Sequence, residues 1–97
     1  MKIVKFAIIG IGNIGKRHAE HIKQHAHAEL VAVCDIDETK SGLYDVPYYK
    51  NIENLLENTM ADVLCVCTPN YLHEKHTIAA LQAGIHVVVE KPMALSV

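Results

Sequence analysis

Residues 5–15 read KFAIIGIGNIG, a short, mostly apolar run that ends in three glycines spaced G-x-G-x-x-G. Such a triplet alone marks only a tight turn. Here it closes a strand-like run, Lys5–Ile9, and opens a helical pattern over Asn13–His25. Within that pattern Ile14, Ala19 and Ile22 form an apolar stripe, and Lys16, Arg17, Glu20 and Lys23 occupy the outer face. Strand, glycine turn and helix in this order are the context in which the motif binds a dinucleotide. Gly10 permits the turn, Gly12 lets a pyrophosphate approach the backbone, and Gly15 lets helix and strand pack closely. The helix N-terminus then offers amides to the anion, so Ile11, Asn13 and Ile14 join the glycines as candidate cofactor-binding positions.

Outward from this turn, apolar runs alternate with helical patterns. Glu29–Cys34 reads as a second strand, Tyr48–Tyr49 as a brief third and Ile52–Glu57 as a short helix with Ile52, Leu55 and Leu56 inward. Val63–Cys67 is a fourth strand, and Leu72–Ala83 a helix with apolar Leu72, Ile78, Ala79 and Leu81, stopped by Gly84. His86–Val89 is the last strand. Strands apolar on both faces and separated by helices predict a parallel sheet covered on both sides. Right-handed crossovers then make a doubly wound α/β fold the leading choice, and a Rossmann-type parallel sheet in the strand order 3-2-1-4-5 is expected. The unusual segments GIGNIG, CDID, CTPN and VEKP all fall at strand carboxyl ends, where ligands of such sheets bind.

Length and composition narrow the function classes. Ninety-seven residues make one domain at most, with about 65% of the chain's surface buried on folding. A net charge of −2 with scattered basic residues argues against nucleic acid. No apolar run approaches the ~20 residues of a membrane helix, and MKIVKFAII, broken by a glycine turn, is not a secretory signal. Cys34, Cys65 and Cys67 lack C-x-x-C spacing and read as small buried hydrophobes in a reducing cytoplasm. His18, His21 and His25 share one helix side, as do His73 and His76. No further ligand completes a metal set, so no metal is expected and these histidines are expected on solvated or half-buried faces.

Asp35 lies 20 residues after Gly15, at the tip of the second strand, where a carboxylate can bind ribose hydroxyls. Ile36 follows, no arginine is near, and Lys40 is the nearest cation in the sequence. A 2′-phosphate beside Asp35 would be repelled by up to ~4 kcal/mol at an effective dielectric of 20, before screening. NAD is therefore favoured over NADP. Glu90-Lys91-Pro92 puts a lysine at the end of a buried strand on the ligand side; it suits either an exposed ion pair or a donor to a substrate oxygen.

Taken together, GIGNIGKRH, Asp35, CTPNYLHEKH and VVVEKPMAL resemble the glucose–fructose oxidoreductase / inositol dehydrogenase (Gfo/Idh/MocA) family over essentially all 97 residues. The resemblance implies an NAD-dependent oxidoreductase of a sugar, cyclitol or nucleotide-sugar hydroxyl. It implies that nicotinamide lies along Thr68, Pro69, Asn70, Glu90 and Lys91, with His73 close by and Lys91 in the active site. Residues 1–97 would be the N-terminal dinucleotide-binding domain, truncated before its last elements. A substrate domain supplying an aspartate and a histidine would be absent, and the full-length protein a homo-oligomer. Glu38–Asp45 is shorter than the helix most relatives have there, as in some that act on nucleotide-linked sugars. The rival expectation is a non-enzymatic regulator that senses dinucleotide on the same fold.

Overall fold

A computed structural model describes residues 2–68 and 70–89, the side chains of Asn70, Tyr71 and His73 excepted. Strands β1 (Val4–Ile9), β2 (Ala28–Cys34), β3 (Tyr48–Tyr49), β4 (Val63–Val66) and β5 (His86–Val89) form one parallel sheet. Their order is β3-β2-β1-β4-β5, as expected. Three α-helices connect them: α1 (Asn13–Gln24), α2 (Ile52–Asn58) and α3 (Asn70–Gln82). Only a 3-10 turn, Glu38–Lys40, intervenes between β2 and β3, in keeping with the brevity of that segment in the sequence.

Strand alternation divides the core into two layers. Ile8, Val33 and Cys65 face α1, where they bury Ile11, Ala19 and Ile22. Ala7, Ile9, Ala32, Cys34, Leu64 and Val66 face the other way, against Ile52 and Leu55 of α2 and Ala80 of α3. Leu30 lies on the α1 side with Val33, three residues away, which an unbroken strand would forbid. A bulge explains it: Phe6 pairs Leu30 but Ala7 pairs Ala32, leaving Val31 extra. The reset register sets Ile9 opposite Cys34, so Asp35 emerges beside the glycine turn.

α3 departs from its sequence reading. It begins at Asn70, two residues before the expected Leu72, and turns Ile78 (47% exposed) and Leu81 (58%) outward. Ala80 and His76 are the buried positions instead. The small Ala80 side chain lets the helix lie against the sheet, and Ile78 and Leu81 fall on the far side. Gly84, with φ +80°, ends the helix as expected. No described strand pairs with the outer edge of β5, whose Val88 and Val89 are exposed.

Gly15 fixes how closely α1 sits on β1. A Cβ there would lie 1.9 Å from the Gly10 carbonyl oxygen, whereas a Cβ at Gly12 would meet nothing within 4 Å. Gly15→Ala is accordingly expected to cost ~3 kcal/mol, the upper end of overpacking, and Gly12→Ala no more than ~1 kcal/mol, through a poorer helix cap. Urea unfolding checks this, and equal losses would refute it. Cys34 offers a second test. Burial, then the carboxylates of Asp35 and Glu53, push its thiol up to about 12. At pH 8, iodoacetamide should alkylate Cys34 at least ~100-fold more slowly in the folded chain than in urea, because the thiolate is the reacting form. The same shift removes stability as pH rises from about 9 towards about 12, since the unfolded thiol ionises first.

Candidate functional site

The carboxyl ends of β1, β2 and β4 open into a cavity of about 580 Å³, within the range of small-ligand sites. Ile9, Ile14, Ile36, Ile52 and Leu72 give it apolar walls, and Asp35, Lys50, Thr68 and His76 supply polar groups. The glycine turn forms its floor. Gly10 adopts φ +96°, and a Cβ there would be 2.7 Å from the Cys67 carbonyl carbon. That close approach brings the β1 turn against the β4 turn and makes them one edge.

The space over Gly12 is open, and Gly12 is the N-cap of α1 without a side-chain cap hydrogen bond. The first amides of α1 thus face a cradle that a Cβ would begin to fill, which fits a pyrophosphate. Asn13 is exposed at the start of α1, and Ile14 lines the cavity. Ile11 plays a different part from the one its motif position suggests. Its side chain is wholly buried, and its N–H donates to Asp35 Oδ2 at 2.7 Å. It holds the carboxylate.

Asp35 is the best-fixed group of the site. Its Oδ1 accepts from the Asp37 N–H at 2.8 Å, and its own N–H donates to the Tyr49 carbonyl at 3.1 Å. The Tyr48 hydroxyl donates to the Asp35 carbonyl oxygen. Each carboxylate oxygen accepts one of these amides and has capacity for a hydroxyl donor besides. Ile36, 78% exposed, stands beside it at the cavity wall.

Thr68, from the β4 turn, lines the cavity with its Oγ1 3.1 Å from His76 Nδ1. Asn70 and His73 are backbone positions in the first turn of α3. Pro69, Glu90, Lys91 and Pro92 lie outside the described residues. The strand that precedes them is aligned with the site, because Val89 pairs Val66 and Val66 pairs Ile9.

Three features correct the sequence reading. His76 is not on a solvated or half-buried face but only 8% exposed, at the cavity wall. Its i+3 relation to His73 gave no sign of this, because α3 buries His76 and Ala80 rather than Ile78 and Leu81. Lys50 and Lys75, not Lys40, line the cavity with Asp35, and the pairing of β3 with β2 brings Lys50 to the Asp35 side. Asn51 and Glu53, at the start of α2, line the cavity as well, a placement that only the sheet order reveals. Among the described residues no group of three His, Cys, Asp or Glu could hold a metal ion, and no helix is long and apolar enough to cross a membrane.

Comparison with known proteins gives consistent likenesses. The chain is 36% identical over 99 residues to the D-glucoside 3-dehydrogenase of Escherichia coli K12, covering 96% of this chain and 28% of that protein. The WlbA dehydrogenase of Bordetella pertussis, solved in complex with NADH and UDP-GlcNAcA, superposes with a TM-score of 0.87 at 35% identity, over 95% of this chain and 30% of that one. The scyllo-inositol dehydrogenase of Lactobacillus casei, solved with NAD(H) and scyllo-inositol, gives 0.85 at 29% identity, over 94% and 28%. The chain thus spans less than a third of the length of these relatives. Residues 4–97 match the model of the Gfo/Idh/MocA oxidoreductase family, defined by an NAD-binding Rossmann fold. With the glycine turn, the fixed Asp35 and the sheet order already in place, the match settles the classification: this chain belongs to the Gfo/Idh/MocA family and carries its NAD-binding Rossmann fold.

Proposed function

We propose that these residues are the nucleotide-binding part of an NAD-dependent dehydrogenase acting on a hydroxyl of a sugar, a cyclitol or a nucleotide-linked sugar. The observation that carries the proposal is the Asp35 carboxylate, tied by the Ile11 N–H to the glycine turn and opening on the same cavity as Gly12. When bound, NAD supplies a nicotinamide carbon that exchanges hydride with the carbinol carbon. Gly10, Gly12, Asn13 and Ile14 receive the pyrophosphate at the head of α1. Asp35 accepts the ribose hydroxyls, and Ile36 covers apolar surface at the adenosine side. Thr68, Pro69, Asn70 and His73 line the path towards nicotinamide. Lys91 donates to the substrate oxygen and polarises it, with Glu90 beside it; their place just after β5 in the sequence supports this assignment. The short Glu38–Lys40 connection and the likeness to a dehydrogenase solved with UDP-GlcNAcA favour a nucleotide-linked sugar. None of the three cysteines is in a disulfide, which suits the reducing cytoplasm in which we place the protein, working as a homo-oligomer. The groups that move the proton belong, on this reading, to sequence the relatives have outside their matching third.

Titration of NADH into the chain, followed by nicotinamide fluorescence, tests the binding half. Saturable binding is expected, weakened roughly tenfold or more by Gly12→Ala as the Cβ enters the pyrophosphate cradle. Binding indifferent to Gly12→Ala would remove the proposed site. In a length of the protein that turns over, Lys91→Ala should lower kcat by roughly 10²-fold or more, the scale of a positioned polar group in the transition state, with NADH affinity far less affected. Loss of NADH binding with turnover per bound cofactor preserved would make Lys91 a cofactor anchor instead.

A further inference from the structure

We infer that Glu38 sets part of the preference for NAD over its 2′-phosphorylated form by holding Lys50 away from the ribose site, an inference that rests on the NAD-binding reading above. Lys50 occupies the position where a 2′-phosphate would look for a cation. Val33 pairs Tyr48 and Cys34 pairs Tyr49, so one further step of the same register sets Lys50 beside Asp35. Both residues line the cavity, together with Ile36. In other dinucleotide folds a nearby arginine accommodates the 2′-phosphate of NADP, and a lysine ammonium can attract the same charge. On position alone, Lys50 would weaken the selectivity that Asp35 confers.

The side chain is engaged elsewhere. Lys50 Nζ lies 3.0 Å from Glu38 Oε2, and the pair is solvent-exposed, at 60% and 69%. Glu38 stands in the 3-10 turn that follows Asp35, a turn braced by Asp37, whose Oδ1 accepts from the Thr39 N–H at 3.0 Å and the Thr39 hydroxyl at 2.7 Å. The turn therefore delivers a second carboxylate to the rim. A 2′-phosphate, with a charge near −2, would meet Asp35 directly and compete with Glu38 for the Lys50 ammonium. An exposed pair of this kind contributes little to folding, so Glu38 can be replaced without disturbing the sheet.

The test is a parallel titration of NADH and NADPH into the full 97-residue chain at low ionic strength. The unmodified chain should favour NADH. Glu38→Gln should raise NADPH affinity roughly three- to tenfold, the scale of an exposed charge pair gained and a like charge removed, while NADH affinity stays within roughly twofold. Adding Lys50→Ala to Glu38→Gln should return NADPH affinity towards its starting value. An equal change for both nucleotides in Glu38→Gln, or a gain that survives the loss of Lys50, would overturn the inference and leave the NAD site standing. Failure of the folded, unmodified chain to bind either nucleotide would overturn the NAD reading itself, and this inference with it.

Discussion

The hydrogen bond from the Ile11 amide to Asp35 Oδ2 spans 24 residues of sequence and joins two loops that the pairing of Ile9 with Cys34 sets side by side. One is the glycine turn after β1, the other the tip of β2. Its geometry depends on nearly everything beneath it. Ile11 must be buried to aim its N–H, β1 and β2 must run parallel, and the register must bring Cys34 level with Ile9. Gly10 must also take a conformation closed to other residues, so that the turn can lie against the Cys67–Thr68 backbone. The bond therefore reports the correct assembly of the site's floor. A charged acceptor with an amide donor is among the stronger hydrogen bonds available to a protein, and it fixes the carboxylate before any ligand arrives.

That arrangement explains why binding groups and core are so hard to separate here. Ile11 is a core residue whose peptide serves the site. Cys34 is a core thiol in the cavity wall, kept protonated by burial and by Asp35 next to it. Thr68 and His76 pair across the turn from β4 to α3, so the wall of the cavity is also the joint between strand and helix. Preorganisation of this sort would keep the ordering cost of binding low, because the groups that line the cavity are already held by the fold.

Much of this was legible in the sequence where the signal is local. The glycine spacing, the strand before it and Asp35 twenty residues on lie within one strand–helix–strand unit, where the spacing of chemical groups in the sequence is nearly that in space. Connection rules gave the doubly wound class, and the expected strand order is the one observed. What escaped notice depends on neighbours distant in sequence. Lys50 joins Asp35 only through the two-residue strand β3, too short to fix a register from composition. His76 is buried because α3 turns its small residues to the sheet, the reverse of the usual amphipathic pattern, so helical periodicity pointed to Ile78 and Leu81 instead. The Glu38–Lys50 pair, twelve residues apart in an irregular connection, carries no periodic signal at all.

The extra residue in β2 has a consequence for how this strand can vary. Val31 separates two stretches of opposite phase, Ala28–Leu30 and Ala32–Cys34, each set against β1 on its own side of the bulge. Loss of Val31 would remove the bulge and leave Leu30 opposite Phe6 on the α1 side, with Ala32, Cys34 and the carboxylate beyond them in their places. Length changes in the first half would be absorbed as a repacking beneath α1, and those in the second would move Asp35 off the glycine turn. The bulge thus acts as a phase boundary: upstream of it the strand answers to the core, and downstream to the ligand.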